Sequence, residues 1–379
     1  MKTASILVLS AFLLAGCATP TTRYNQSDAK EVTEEQKKQQ VIAIRTYQKH
    51  LARLMDVGYP ILVKNRPLCE DQVRPSLGMN VKSKELYKEE FQAVYGEAYG
   101  LADRFRITLV PRGSSAHEAG LRVGDEILAA NGKPLDAGDA TAEKWAAAAG
   151  EYTMGTPVTF RLLRDGKEIE ATATPKEICG YGIDLVAADA VNAMADGKNI
   201  ILTYGMLRFV ETDLELATVL SHELAHNIMA HREAALQNAK VGGAVGLVFD
   251  IAAAAFGVNT QGAFTRAGMN AGSRHKSQEF EMEADYVGLY LLAQAGYPVD
   301  GAPDFWRRMA AGHPESIEES LHGSHPSSAQ RYTALEKTVA EINDKRAQGK
   351  PLQPEQRDIK PEPGETSAPA PSVNEITSR

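Results

Sequence analysis

Two histidines four residues apart, His222 and His226, with Glu223 beside the first, are the residues of this chain best suited to chemistry. They lie in an apolar-periodic segment, which predicts a helix, and residues four apart on a helix share one face. Two imidazole nitrogens on one face can hold a zinc ion at about 2.0–2.1 Å, and Glu223, one step round, can take a proton from a water that the metal activates. The H-E-x-x-H spacing therefore points to hydrolysis. A zinc hydrolase also needs a third protein ligand and an open fourth position. The longer pattern H-E-x-x-H-x-x-G-x-x-H is not met. Its glycine position holds Met229 and its third histidine position holds Arg232, with His231 one residue out of register.

A better source of the third ligand is Glu281-Met282-Glu283-Ala284-Asp285, which opens an apolar run through Tyr286, Leu289, Leu292 and Ala293 and again predicts a helix. Glu281 and Asp285 share a face. One can bind the metal while the other accepts a hydrogen bond from the free N–H of a ligating histidine. Glu279 and Glu283 are expected to point elsewhere. Two neutral histidines and one carboxylate leave a zinc site near a net charge of plus one, which favours ionisation of water there.

These two motifs together resemble the zinc metallopeptidases of the CAAX prenyl protease type, in which H-E-x-x-H is paired with a downstream E-x-x-x-D. The likeness extends to Asn192-Ala193-Met194-Ala195-Asp196-Gly197 with Gly205-Met206, and to Ala295-Gly296-Tyr297-Pro298, His325-Pro326 and Arg331. It covers roughly residues 180–340. The resemblance implies that His222, His226 and Glu281 bind Zn2+, that Glu223 is the general base and that Asp285 supports a ligand. For His325 three readings stand: a donor to the oxyanion, a transient inhibitory ligand, or a turn cap before Pro326. His117, His275, His313 and His322 are read as ordinary surface or core histidines.

Between Cys69 and Cys179 lies a segment of a different kind. Arg106 to Val110 reads as a strand, and Gly113 to Gly132, with Ala119-Gly120-Leu121-Arg122-Val123-Gly124-Asp125 inside it, resembles a bacterial PDZ domain. A short helix at Ala116 to Ala119, a helix at Ala142 to Ala149 and strands at Val158 to Leu163 and Glu168 to Thr174 complete an insert over roughly residues 98–177. The resemblance implies capture of peptide C-termini by strand addition, with Tyr99-Gly100-Leu101 as the carboxylate loop. An exported chain with two cysteines bracketing the insert invites a disulfide between them.

The beginning of the chain predicts export. Met1-Lys2 precedes an apolar run from Ile6 to Leu14 and then Leu14-Ala15-Gly16-Cys17, so residues 1–17 read as a signal peptide ending in a sequence that resembles a lipobox. Cys17 would then carry lipid, and Ala18 after it favours the periplasmic face of an outer membrane. The formal charge is 41 minus 49, or −8, with no basic block, which argues against a nucleic-acid partner.

The remaining elements frame the site. Asp28 to Met55 has a helical stripe at Val41, Ile44, Tyr47, Leu51 and Leu54, and residues 28–80 are assigned to the helical part of the peptidase domain. Val241 to Val258 is nearly all apolar apart from Asp250, which argues against a bilayer-spanning helix and favours a mobile lid or a membrane-facing hairpin over a buried core helix. The proline-rich residues 349–379 read as disordered. The expected fold is α+β: a mainly helical zincin-like domain over residues 180–340 with a small edge sheet, plus an inserted β-rich PDZ domain. The expected function is a zinc-dependent endopeptidase of the cell envelope acting on envelope or misfolded polypeptides, with substrate along the strand near Asn199 to Thr203. The rival is an envelope assembly factor or chaperone that uses the PDZ groove with little proteolysis.

Overall fold

The structure, a computed structural model, describes residues 22–23, 25–255, 259–274, 277–312 and 329–356. Cys17, His275, His313, His322 and His325 lie outside them.

The first helix, α1 (Ala29–Lys64), begins with a capping box in which the Asp28 carboxylate accepts from the Glu31 backbone N–H while the Glu31 carboxylate accepts from that of Asp28. It continues past Met55 because its last turns change character. Leu54, Val57, Tyr59, Ile61 and Leu62 are buried, so tertiary packing carries the helix through Pro60. Asn65 ends it, its side-chain amide donating to Ile61 O at 2.9 Å and to Leu291 O at 3.0 Å.

The chain then enters a small β unit through strand β1 (Val73–Ser76). The unit contains β2 (Asn80–Lys82), α2 (Glu89–Tyr99), β3 (Phe105–Leu109), α3 (Ser115–Glu118), β4 (Glu126–Ala130), β5 (Lys133–Pro134), α4 (Ala142–Ala149), β6 (Val158–Arg164) and β7 (Lys167–Ala173). Its sheet runs β2-β3-β4-β6-β7 and encloses a core of Phe105, Ile107, Ile127, Phe160 and Leu162. Leu77 belongs to this core and β2 to this sheet, so the unit starts some 20 residues before the 98 read from sequence, and the segment assigned to the helical domain stops short of 80. The short β2 carries too little alternation to announce itself.

Strand β8 (Lys176–Cys179) returns antiparallel to β1, with Val73 opposite Cys179, and Cys69 is disulfide-bonded to Cys179. The insert is thus clamped where it leaves and re-enters the helical domain. Gln48 Nε2 also donates to Thr108 O at 2.9 Å, and Arg112 meets Asp56 at 3.2 Å, fastening it to α1. The bond closes a loop with a sequence separation of 110. Replacing both cysteines by alanine is expected to lower unfolding stability by about 2–4 kcal/mol through the freer unfolded chain. Denaturant midpoints with and without reductant measure this, and identical midpoints for the oxidised protein and the double variant would rule it out.

A three-stranded sheet follows, from β9 (Gly182–Val186), β10 (Ala193–Ala195) and β11 (Asn199–Thr203), in the order β10-β11-β9. β11 is therefore internal, antiparallel to β10 and parallel to β9. The expectation that substrate lies along Asn199 to Thr203 is corrected by this pairing, because both backbone edges of that strand are already used; β10 and β9 are the outer strands. Helices α5 (Tyr204–Phe209), α6 (Asp213–Ile228), α7 (His231–Ala255), α8 (Ala263–Arg274), α9 (Ser277–Gln294), α10 (Ala302–Gly312) and α11 (Ala329–Ala347) complete the chain. The main core joins the end of α1, the three-stranded sheet, α6, α9, α10 and α11.

Two other expectations are settled here. The segment from Val241 is not a buried core helix: it belongs to α7, packs along α8, and exposes Val245, Val248 and Ile251. The tail is not free from Gly349 onward. Gln294 donates to Leu352 O at 2.7 Å and Glu355 N to Tyr286 Oη at 3.1 Å, holding residues through Glu355 against α9. Proline-rich composition does not register such side-chain anchors.

Candidate metal centre

Helix α6 starts at a Thr212 cap, whose hydroxyl accepts from Glu215 N at 3.2 Å. It is buried almost throughout, and Asn227 ties its end to the sheet, accepting from Gly197 N at 2.8 Å and donating to Asn199 O at 3.1 Å. Helix α9 crosses it at Gly288, where an added Cβ would lie 3.1 Å from His222 Cα. That missing side chain brings the second motif onto the first.

His222, His226 and Glu281 converge at this crossing. His222 Nε2 and His226 Nε2 are 3.2 Å apart, Glu281 Oε1 is 3.4 Å from His226 Nε2, and Glu281 Oε2 is 3.5 Å from His222 Nε2. Ligands at zinc distances in a tetrahedron are separated by about 3.3 Å, so the three donors already have the spacing of one face of that polyhedron. Glu223 is buried on the same helix.

The surrounding hydrogen bonds decide which nitrogens point inward. Asp285 Oδ1 lies 3.1 Å from His222 Nδ1, a charge contact that favours the proton on Nδ1, so in the neutral ring Nε2 keeps its lone pair. For His226 the partner is one that sequence reasoning set aside. His231 Nδ1 is 2.9 Å from His226 Nδ1, and His231 Nε2 is 3.0 Å from Glu283 Oε2. With Glu283 accepting from His231 Nε2–H, His231 Nδ1 accepts from His226 Nδ1–H, and His226 Nε2 also presents a lone pair. Two lone pairs 3.2 Å apart, beside a carboxylate, call for a cation between them. The donor set fits zinc.

Charge is balanced behind the ligands by Arg331 on α11. Its Nε and Nη2 bind Asp285 at 2.8 and 2.9 Å, and its Nη1 lies 3.2 Å from Glu281 Oε2. All three groups are buried. Burial alone would raise the Asp285 carboxyl, but Arg331 and His222 hold it below the usual carboxylate range. Burial disfavours a charged His222, yet the carboxylates of Asp285 and Glu281 outweigh this and push the ring up to about 10, so a proton on Nε2 competes with a metal ion for the same position; burial keeps His226 below the usual imidazole value. The site attracts positive charge.

Residues 163–339 match the profile of peptidase family M48, and residues 106–151 match that of a PDZ domain. The first match takes in both motifs and covers a little under half of the chain. It is 30% identical to the mitochondrial metalloendopeptidase OMA1 of Schizosaccharomyces pombe over 50% of this chain and 56% of that protein. It is 29% identical to the beta-barrel assembly-enhancing protease of Yersinia pestis over 33% of this chain and 27% of that protein, and 25% identical to the Escherichia coli (strain K12) protein of that name over 38% and 29%. The chain thus spans little more than half the length of the first of these relatives, and less of the others. The broad family matches the expectation from the two motifs. These relatives are named for metalloendopeptidase and barrel-assembly roles, and none of the three for prenyl-protein cleavage.

Within the matched segment, His231 and Glu283 are the residues that sequence reasoning missed. His231 failed a ligand register and Glu283 was expected to point away, yet a left-handed Ala230 (φ 51°) turns the chain so that His231 folds back on His226. The signal available was a third histidine five residues after the motif. A His231→Phe variant, which keeps an aromatic ring against Phe280, is expected to bind zinc about 10–100-fold more weakly. Competition with a chromogenic chelator reads the affinity; an unchanged constant would remove His231 from the supporting network.

Proposed function

We propose that this chain is a zinc-dependent endopeptidase of the bacterial cell envelope that hydrolyses envelope or misfolded polypeptides. The observation that carries the reading is the pair of imidazole Nε2 atoms 3.2 Å apart beside Glu281, with Glu223 on the same helix. His222, His226 and Glu281 would hold the ion, and zinc there supplies a polarised carbonyl and an acidified water. Glu223 takes up the proton as the water attacks and returns it to the leaving amine. Asp285 and the His231–Glu283 pair fix the ring orientations, while Arg331 neutralises the carboxylates. The envelope location rests on the lipobox-like Leu14-Ala15-Gly16-Cys17, which would tie the chain by lipid to the periplasmic face of an outer membrane.

The outer strand β10 is the sheet position nearest α6 for an extended substrate. A peptide C-terminus would be taken at β2, the outer strand of the PDZ sheet that follows the left-handed Gly78. The Gly100-Leu101 loop read from sequence is less suited. Gly100 ends α2, its carbonyl accepts from Arg106, and β3 after it is flanked by β2 and β4.

Elemental analysis of chelator-free protein is expected to return one zinc per chain, and removal of that zinc to stop cleavage of an unfolded protein substrate, with recovery on adding zinc back. Zinc-loaded protein that binds unfolded chains without cutting them would instead favour the assembly-factor reading.

A further inference from the structure

Helix α7 leaves the metal centre at His231 and α8 leads back to α9, so the two form a hairpin inserted between the helices that carry the candidate ligands. The hairpin packs chiefly on itself. Added Cβ atoms at Gly242 and Gly246 would each lie 2.1 Å from a carbonyl oxygen of α8, and Gly268 and Gly272 face α7 with the same 2.1 Å clearance. Glycines recurring four apart on both helices therefore form the contact, which turns the larger side chains outward. Asp250 is turned inward. Its carboxylate accepts from Phe264 N at 3.2 Å and from Thr265 N and Oγ1 at 2.8 and 2.7 Å, closing the first turn of α8.

What remains outside is apolar. Among the described residues, nine of the 18 exposed large apolar side chains lie on this hairpin. Val241, Val245 and Val248 recur at i, i+4 and i+7 and are 56%, 55% and 65% exposed. From Val241 to Ala255 the sole ionisable side chain is the inward-facing Asp250. A surface of this kind calls for a partner.

The partner's chemistry follows from the start of the chain. Cys17 of the lipobox-like motif stands 12 residues before the first residue of α1, a tether of about 40 Å at full extension. A lipid on that cysteine keeps the domain within its own dimensions of a bilayer. Among the described residues no helix is long and apolar enough to cross a membrane. The hairpin can therefore lie in the interface but not span it.

We propose that the outer flank of the α7–α8 hairpin, centred on Val241, Val245 and Val248, docks into the surface of a phospholipid bilayer and orients the metal centre toward membrane-proximal substrates. The proposal draws on the lipobox reading of Cys17 and is independent of whether the site cleaves peptides. It is tested with the mature chain carrying Cys17→Ala, so that no lipid anchor contributes, mixed with vesicles of phosphatidylethanolamine and phosphatidylglycerol. The protein is expected to co-sediment with vesicles, and V245D with V248D to lower the bound fraction about tenfold or more at unchanged zinc content. In a V248W variant, tryptophan emission should shift to the blue and be quenched by phospholipids with brominated chains. A native hairpin that stays in the supernatant, or a Trp that brominated lipid does not quench, overturns the proposal. So does a gel-filtration shift from dimer to monomer in V245D/V248D with vesicle binding intact, which would identify a second copy as the occupant.

Discussion

Glu223→Gln is expected to retain one zinc per chain while lowering kcat/KM for peptide cleavage by about 10²–10⁴-fold. The amide is nearly the shape of the carboxylate, so the buried helix face should be undisturbed, but it cannot accept the proton of the attacking water. His222, His226 and Glu281, the candidate ligands, are untouched by the change. Elemental analysis and cleavage of a quenched peptide, run on one preparation, separate the two effects. Full activity with zinc present would sink Glu223 as the base; loss of zinc together with activity would mean that the residue supports the metal site instead.

Arg331→Met should be the most destabilising single change near the site. Arg331, Asp285 and Glu281 are each no more than 4% exposed, and the guanidinium contacts both carboxylates. Removing one partner of a buried ionic group strands the others without compensation, at a cost of about 3–5 kcal/mol. The loss is expected in metal-free protein by urea denaturation, and zinc should partly offset it by binding between the histidines and Glu281. A metal-free midpoint equal to that of the wild type would contradict the buried clamp. The contrast with His231→Phe is informative, because that change should weaken metal binding more than it weakens the metal-free fold.

Several features of this molecule are local and were therefore readable before any fold was known. The periods at 3.6 residues placed His222 and His226 on one helix face and Glu281 with Asp285 on another, and α6 and α9 run through those positions. Turn residues and alternation likewise delimited most strands of the inserted sheet, with β3, β6 and β7 each falling within about two residues of the expected bounds. Elements whose periodicity was short or uniform were harder: β2 has only three residues, and α1 continues past its amphipathic stripe into a largely buried end.

Everything that depends on which element meets which was decided by the tertiary structure. That Glu283 serves His226 through His231 requires a left-handed Ala230 and the crossing of α6 with α9 at Gly288, neither of which has a periodic signature. That Arg331 reaches Asp285 from 46 residues away depends on α11 packing on α9. The internal position of β11, and the placement of β2 at one edge of the PDZ sheet, are properties of strand order, which pairing sets and composition does not. Sequence by itself determined the candidate ligands and their chemistry, because these are written in residue types and helical spacing. Only the fold determined their orientation, charge balance and access, because those arise from contacts between segments far apart in the chain.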